Sequence, residues 1–219
     1  MYLEVAVCSA LAVVTWKRNV LSAPASALAF AMGLLIWVMN GIEWLSVLVS
    51  FLIVGYMGTK CHYSEKSSIG VEEGSCRRIE NVLGNGTSPL LFALLFMPVA
   101  FAGSIATALA DTLASEIGVL SSRSRLITTL EKVDPGTNGA VSPLGLLFSV
   151  VGASIVAVMG VYLLSTGFVP VFAGGFIGCQ IDSVLGAVLE RRRIVSKSTV
   201  NLIATLSGGS VAYLTFFII

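Results

Sequence analysis

Long apolar stretches dominate this chain and set what it can fold into: they lie at about 2–16, 24–39, 42–58, 88–110, 143–165, 168–189 and 199–219. A helix needs about 20 apolar residues to cross a hydrocarbon core, fewer where it tilts or the bilayer is thin. Of the 219 residues, 56% are hydrophobic and only 11% charged, whereas a soluble domain would carry about one quarter charged residues. The expectation is an all-α integral membrane protein, a polytopic helix bundle forming a single transmembrane domain over residues 1–219. A net charge of +1 provides no field for nucleic acid. The stretch from Tyr2 to Trp16 lacks a basic leader and runs into Lys17-Arg18, which reads as a span and not as a secretory signal.

Charge placement constrains the topology. If all seven stretches cross, Lys17, Arg18, Lys60, Lys66, Arg77 and Arg78 fall on one side. Arg123, Arg125, Lys132, Arg191, Arg192, Arg193 and Lys197 then fall on the other. Short loops do not divide basic residues in this way, because Lys and Arg concentrate on the cytoplasmic face. A re-entrant or proline-broken segment at 88–110 removes the conflict, giving six spanning helices plus a hairpin with arms of about ten residues around Pro98. Every Lys and Arg then lies on the cytoplasmic side, with Glu4 and Glu43 near the outer face. Asn85-Gly86 and Asp111 also come to one membrane face. The alternative is seven spans with a proline-kinked helix.

Within these apolar surroundings sit Asp111 and Asp182. An ionisable group near the bilayer midplane costs on the order of 3 kcal/mol on insertion scales, so it faces a partner or a wet cavity. Gly174, Gly178, Asp182 and Gly186 recur every four residues and share a helix face, as do Asn201, Thr205 and Gly209. Glycine on such a face admits a second backbone or a ligand. Asp111 and Ser115 are one turn apart, as are Thr112 and Glu116. Helix packing and a solvated helix end are the competing readings. As chemistry, the carboxylates suit Mg²⁺, a hard cation that prefers oxygen ligands and substrate phosphates.

Two polar loops complement them. One joins Arg77 and Arg78 to Asn81 and Asn85-Gly86, and arginine binds phosphate in bidentate fashion. The other, Asp134-Pro135-Gly136-Thr137-Asn138-Gly139, leads through Ser142-Pro143 into an apolar helix whose N-terminus favours an anion. Plain turn chemistry explains either loop equally. Asn85-Gly86-Thr87 is a glycosylation sequon that the topology places in the cytoplasm. Cys8, Cys61, Cys76 and Cys179 fit neither a zinc site nor a disulfide framework, and Cys61-His62 is too small to hold structural zinc. His62 is the sole histidine, so a Ser-His-Asp mechanism has little support. No phosphate-binding loop or dinucleotide fingerprint is present.

Four ordered motifs carry a resemblance: Arg-Arg-x-x-Asn-Val-Leu-x-Asn-Gly (Arg77 to Gly86), Ala-Asp-Thr-x-Ala-Ser-Glu-x-Gly (Ala110 to Gly118), Gly-Thr-Asn-Gly-x-Val-Ser-x-x-Gly (Gly136 to Gly145) and Asp-Ser-x-Leu-Gly-Ala (Asp182 to Ala187). Asn201-Leu202 fits as well. From about residue 70 onward the chain resembles the integral membrane family of plant and cyanobacterial phytyl-phosphate kinases, animal transmembrane protein 19 and archaeal members. The resemblance implies a kinase that transfers phosphate from CTP or another nucleoside triphosphate to an isoprenoid monophosphate. In that reading Asp111, Glu116 and Asp182 are catalytic, and Asp111 and Asp182 hold Mg²⁺. Arg77, Arg78, Asn81, Asn85, Ser115, Asn138, Ser142 and Asn201 bind substrate or nucleotide, in a site facing the cytoplasm. Leu113 stands where the family commonly has Trp, which bears on lipid choice more than on chemistry. A cytidylyltransferase of the CDP-lipid synthase type would use the same ingredients, and an ion- or proton-coupled transporter would use the two aspartates as a relay.

Overall fold

The structure is a computed structural model and describes residues 2–61 and 76–219. His62, Lys66 and Ser75 lie outside the described residues. Within them the chain forms eight long helices: α1 (Tyr2–Lys17), α2 (Ala23–Asn40), α3 (Ile42–Lys60), α4 (Ile79–Leu94), α5 (Pro98–Gly118), α6 (Pro143–Leu164), α7 (Phe168–Leu185) and α8 (Lys197–Ile218). Two short strands, β1 (Arg125–Leu126) and β2 (Ala140–Val141), pair antiparallel and clip the α5–α6 connection. Among the described residues, five helical segments are long and apolar enough to cross a membrane: Ala23–Asn40, Ile42–Lys60, Pro143–Leu164, Phe168–Glu190 and Lys197–Ile218.

Prolines and hydroxyls set several helix starts. Pro98 and Pro143 occupy the first helical turn, where a missing N–H costs nothing. Ser142 Oγ accepts from Gly145 N at 3.0 Å and Ser196 Oγ from Thr199 N at 3.3 Å, so both are N-caps.

The 88–110 segment is broken beside Pro98, but not into two short arms. The break falls at residues 95–97, with Phe96 at φ 55°, and Pro98 opens a new helix. The arms are 16 and 21 residues long, about 24 and 32 Å at 1.5 Å per residue, close to the thickness of a hydrocarbon core. They outgrow the apolar run because each continues through polar residues, Ile79 to Thr87 on one side and Asp111 to Gly118 on the other. The hairpin therefore makes two antiparallel helices where a seven-span reading has one.

Helix α5 is the axis of the bundle, and fifteen of its 21 residues are buried. It packs against α3, α4, α6, α7 and α8. Small residues make this possible, because helices in lipid associate through close backbone approach rather than hydrophobic burial. Gly103 lies against Gly208 and Ala212 of α8, Gly152 of α6 against Ala110, and Gly178 of α7 against the Thr107 side chain. Thr107 Oγ1 donates to the Gly174 carbonyl at 3.2 Å, tying α5 to α7. Thr205 of α8 and Ser88 of α4 share a 3.0 Å bond, and Ser88 donates to the Leu202 carbonyl at 3.1 Å. Such bonds contribute on average about 0.6 kcal/mol each in membranes. Trp44 tilts onto Phe101 with ring centroids 4.6 Å apart, closing the far end of the core.

These contacts run in consistent order along the helices. The C-terminal ends of α1, α3, α5 and α7 and the N-terminal ends of α2, α4, α6 and α8 gather at one end of the bundle. Every described Lys and Arg lies at that end or in its loops, while Glu4 and Glu43 lie at the opposite end.

Candidate functional site

The carboxylates meet because the turn before them is made of small groups. Gly178 lets α7 close onto Thr107 of α5. One turn further along both helices, the Asp111 and Asp182 side chains line one cavity and act on each other electrostatically. The glycine stripe of α7 thus serves packing and chemistry together: its glycines set the approach and its aspartate occupies the space beyond. From α8, Asn201 completes the group. With its amide oriented to satisfy its neighbours, Asn201 donates to Asp182 Oδ2 at 3.2 Å and to the Lys197 carbonyl at 3.2 Å, and accepts from Asn85 Nδ2 at 3.0 Å.

The pair lies in the wall of a cavity of about 160 Å³ at the basic end of the bundle. Its rim is the loop 134–142. Two consecutive turns, Thr137 N to Asp134 O at 3.2 Å and Ala140 N to Thr137 O at 2.9 Å, shape that loop. Gly139 has φ 78° and sits against the Ala187 backbone, where a side chain would not fit. Its counterpart is a π-helical turn, Gly186–Glu190, continuing α7. Such turns are rare and concentrate at functional sites. Here the widened turn aims Glu190 at the loop, where its Oε1 accepts from Asn138 Nδ2 at 2.9 Å.

The predicted residues divide in their placement. Asp111, Ser115, Glu116, Asn138, Ser142 and Asp182 line this cavity. Glu116 Oε1 accepts from Thr59 Oγ1 of α3 at 2.9 Å. Ser115 Oγ donates back to the Asp111 carbonyl at 2.8 Å. Ser142 joins two helices, donating to the Gly118 carbonyl at 3.0 Å while capping α6. Arg77, Asn81 and Asn85 line a second cavity, bounded by α1 to α4. The Arg77 guanidinium lies 5.6 Å from the Phe51 ring centroid. It also adjoins Gly55, which in turn faces Thr112, the neighbour of Asp111. Asn81 Oδ1 accepts from Arg78 N at 3.3 Å, closing the first turn of α4. The Arg78 side chain lines neither cavity.

Spacing in the sequence carries a signal for two further residues of the first cavity. Glu190 extends the stripe 174–178–182–186 by one more step of four, and Lys197 stands four before Asn201. Both line the cavity and act electrostatically on Asp182. Thr59 carries no such signal, since only the fold brings α3 to Glu116. Arg191 and Arg193 border an open basin that shares Asn138, Glu190 and Lys197 with the cavity, so the topology anchors also form its mouth.

Among the described lining residues Asp111, Glu116, Asp182 and Glu190 face one lysine, Lys197. Such a site attracts cations and repels a bare phosphate. No cluster of three His, Cys, Asp or Glu side chains that could hold a metal occurs among the described residues. A divalent ion here would thus take two carboxylates and further oxygens from a ligand, the coordination Mg²⁺ shows with phosphates.

Comparison with known proteins accords with the motifs. The chain is 38% identical over 195 residues to an uncharacterised membrane protein of Methanocaldococcus jannaschii, covering 84% of this chain and 81% of that one. It is 33% identical over 202 residues to an uncharacterised membrane protein of Synechocystis, covering 84% and 78%. It is 27% identical over 218 residues to the chloroplastic protein VTE6 of Arabidopsis thaliana, covering 89% and 65%. No solved structure matches it. The profile of the integral membrane protein family DUF92 spans residues 6–209, and the chain, with its ordered motifs gathered at one end of a helix bundle, belongs to that family.

Proposed function

We propose that this protein is a prenyl-phosphate kinase, transferring the γ-phosphoryl group of CTP or another nucleoside triphosphate to an isoprenoid monophosphate such as phytyl or geranylgeranyl phosphate. One observation carries the reading: Asp111 and Asp182 meet in an acidic cavity whose mouth is basic. That polarity suits a nucleotide that arrives with its cation. The triphosphate is drawn in by Arg191, Arg193 and Lys197, and Asp111 and Asp182 are the residues that would hold Mg²⁺. Bound there, the ion would neutralise charge on the phosphates. The positive-inside rule makes the basic end cytoplasmic, where nucleotide is available.

The reaction makes few demands on the protein. An oxygen of the acceptor monophosphate bonds to the γ-phosphorus, the bond from that phosphorus to the β–γ bridging oxygen breaks, and the nucleoside diphosphate leaves. The acceptor oxygen is already anionic, so no general base is required. What remains is alignment and charge stabilisation. Asn201 orients Asp182, and Asn138 orients Glu190 at the mouth. The resemblance of the four motifs to those of phytyl-phosphate kinases supports the choice of acceptor.

The test is direct. Purified protein is incubated with Mg²⁺, each nucleoside triphosphate and a series of prenyl monophosphates. Formation of prenyl diphosphate with nucleoside diphosphate supports the proposal. Formation of a CDP-lipid with pyrophosphate replaces it by cytidylyl transfer, and no turnover with any pair removes it.

A further inference from the structure

The cavity bounded by α1, α2, α3 and α4 plays no part in the chemistry described above, yet its make-up is that of a site for a lipid with an anionic head. One end is polar, formed by Arg77, Asn81 and Asn85. The rest is apolar, with Leu11, Phe30, Ile36, Leu45, Leu48 and Phe51 among its walls. It has depth along the membrane normal: its walls run on α3 from Leu45, near the outer end, down to Leu52. Arg77 closes it at the level of Gly55. Ten residues of helix separate Leu45 from Gly55, about 15 Å, or half a hydrocarbon core.

The polar end of this cavity is wired to the carboxylates. Asn85 Nδ2 donates to the Asn81 carbonyl at 3.2 Å. The same amide donates to Asn201, which donates to Asp182. Arg77 packs beside Gly55 and Phe51, next to the turn of α5 that bears Asp111. A guanidinium carries five N–H donors in a fixed fork, so it can serve a neighbouring side chain and a phosphate oxygen together.

We propose that this cavity is the binding site of the acceptor lipid: a single isoprenoid chain lies between α1, α2 and α3, and its terminal phosphate is held by Arg77 and the side-chain amide of Asn81. The identity of the lipid rests on the kinase reading; the existence of an anionic-lipid site does not. The arrangement lets the head group approach Asp111 and Asp182 from the membrane side while nucleotide enters from the basic mouth. The two substrates thus converge on the carboxylates from separate compartments.

The experiment uses the full chain in lipid nanodiscs, without nucleotide, so that binding is read apart from turnover. The probe is geranylgeranyl monophosphate with a diazirine at the far end of the chain, irradiated and mapped by peptide. The expected label falls on cavity-wall residues of α1 to α3. Excess geranylgeranyl monophosphate removes it, while geranylgeraniol or phosphatidic acid at the same concentration does not. Ala29→Phe fills the cavity from α2 and lowers labelling at least tenfold with nucleotide binding unchanged. Label confined to lipid-facing positions such as Tyr162 or Phe217, equal competition by phosphatidic acid, or undiminished labelling in a folded Ala29→Phe protein overturns the proposal. Should that variant not fold, the wild-type map and its competition decide the matter. Intact labelling without any phosphoryl transfer sinks the kinase and leaves the lipid site standing.

Discussion

Asp182→Asn should make the protein more stable and inactive at once, and the size of both effects follows from its neighbours. Burial strips Asp182 of hydration first of all, and of the charges around it Asp111 acts most strongly, then Lys197, then Glu190. Two of these repel it and one attracts it. Like charges about 4 Å apart at an effective dielectric near 20 repel by about 4 kcal/mol; Lys197 offsets much of this, which leaves roughly 1–3 kcal/mol of net strain. Asparagine keeps the shape and still offers an oxygen to Asn201, so removing the charge releases that strain. At about 2–4 °C per kcal/mol for a chain of this size, the metal-free melting temperature should rise by about 2–12 °C in detergent. Added Mg²⁺ and nucleotide should no longer raise it further, and turnover should fall at least about 10³-fold, or about 4 kcal/mol of barrier. The assay pairs thermal unfolding, with and without Mg²⁺ and nucleotide, with product formation on the same preparation. A metal-free variant less stable than the parent would show that the two carboxylates do not oppose one another. Near-normal turnover would show that Asp182 does not serve the chemistry.

Four further outcomes are expected. Gly178→Ala should destabilise the bundle by about 1–3 kcal/mol in thermal unfolding, because its methyl group meets the Thr107 side chain, and Thr107→Ala in the same chain should recover part of the loss. In a cysteine-free background, cysteines at Glu80 and Thr137 should react with an impermeant maleimide from the same side of the membrane, and cysteines at Phe96 and Ser165 from the other; opposite accessibility of Glu80 and Thr137 would refute the two-helix hairpin. Lys197→Met should raise the KM for nucleotide about tenfold, equivalent to about 1.4 kcal/mol, with a smaller change in the KM for lipid. Arg193→Gln should weaken nucleotide binding chiefly at low salt, since an exposed charge at the mouth acts over a distance that salt screens.

Much of this arrangement is legible in the sequence because membrane helices leave so few choices. The apolar runs locate most of the helices, and the distribution of Lys and Arg together with Pro98 favours a break in the 88–110 segment over a seventh span. The four-residue stripes through Asp182 and Asn201 name the faces that come together. What the sequence conceals are lengths and partners. The arms of the hairpin are helical through polar residues that hydropathy assigns to loops, because tertiary packing in the bundle holds polar turns that lipid alone would reject. Ser115 and Ser142 line the cavity and also donate to backbone carbonyls, a packing role that spacing does not show. The partition of Arg77, Asn81 and Asn85 into a cavity of their own is invisible to spacing, since it depends on where α1 and α2 settle.

Helix α1 is anchored mainly through α2, and neither packs closely on the axial helix. The aspartate pair, by contrast, hangs from helices gripped on several sides. If the proposed acceptor lipid enters between α1 and α3, the loosening falls where the scaffold is thinnest, and the alignment of the carboxylates need not be rebuilt. On this arrangement the peripheral helices act as a door, hung on a frame that stays still.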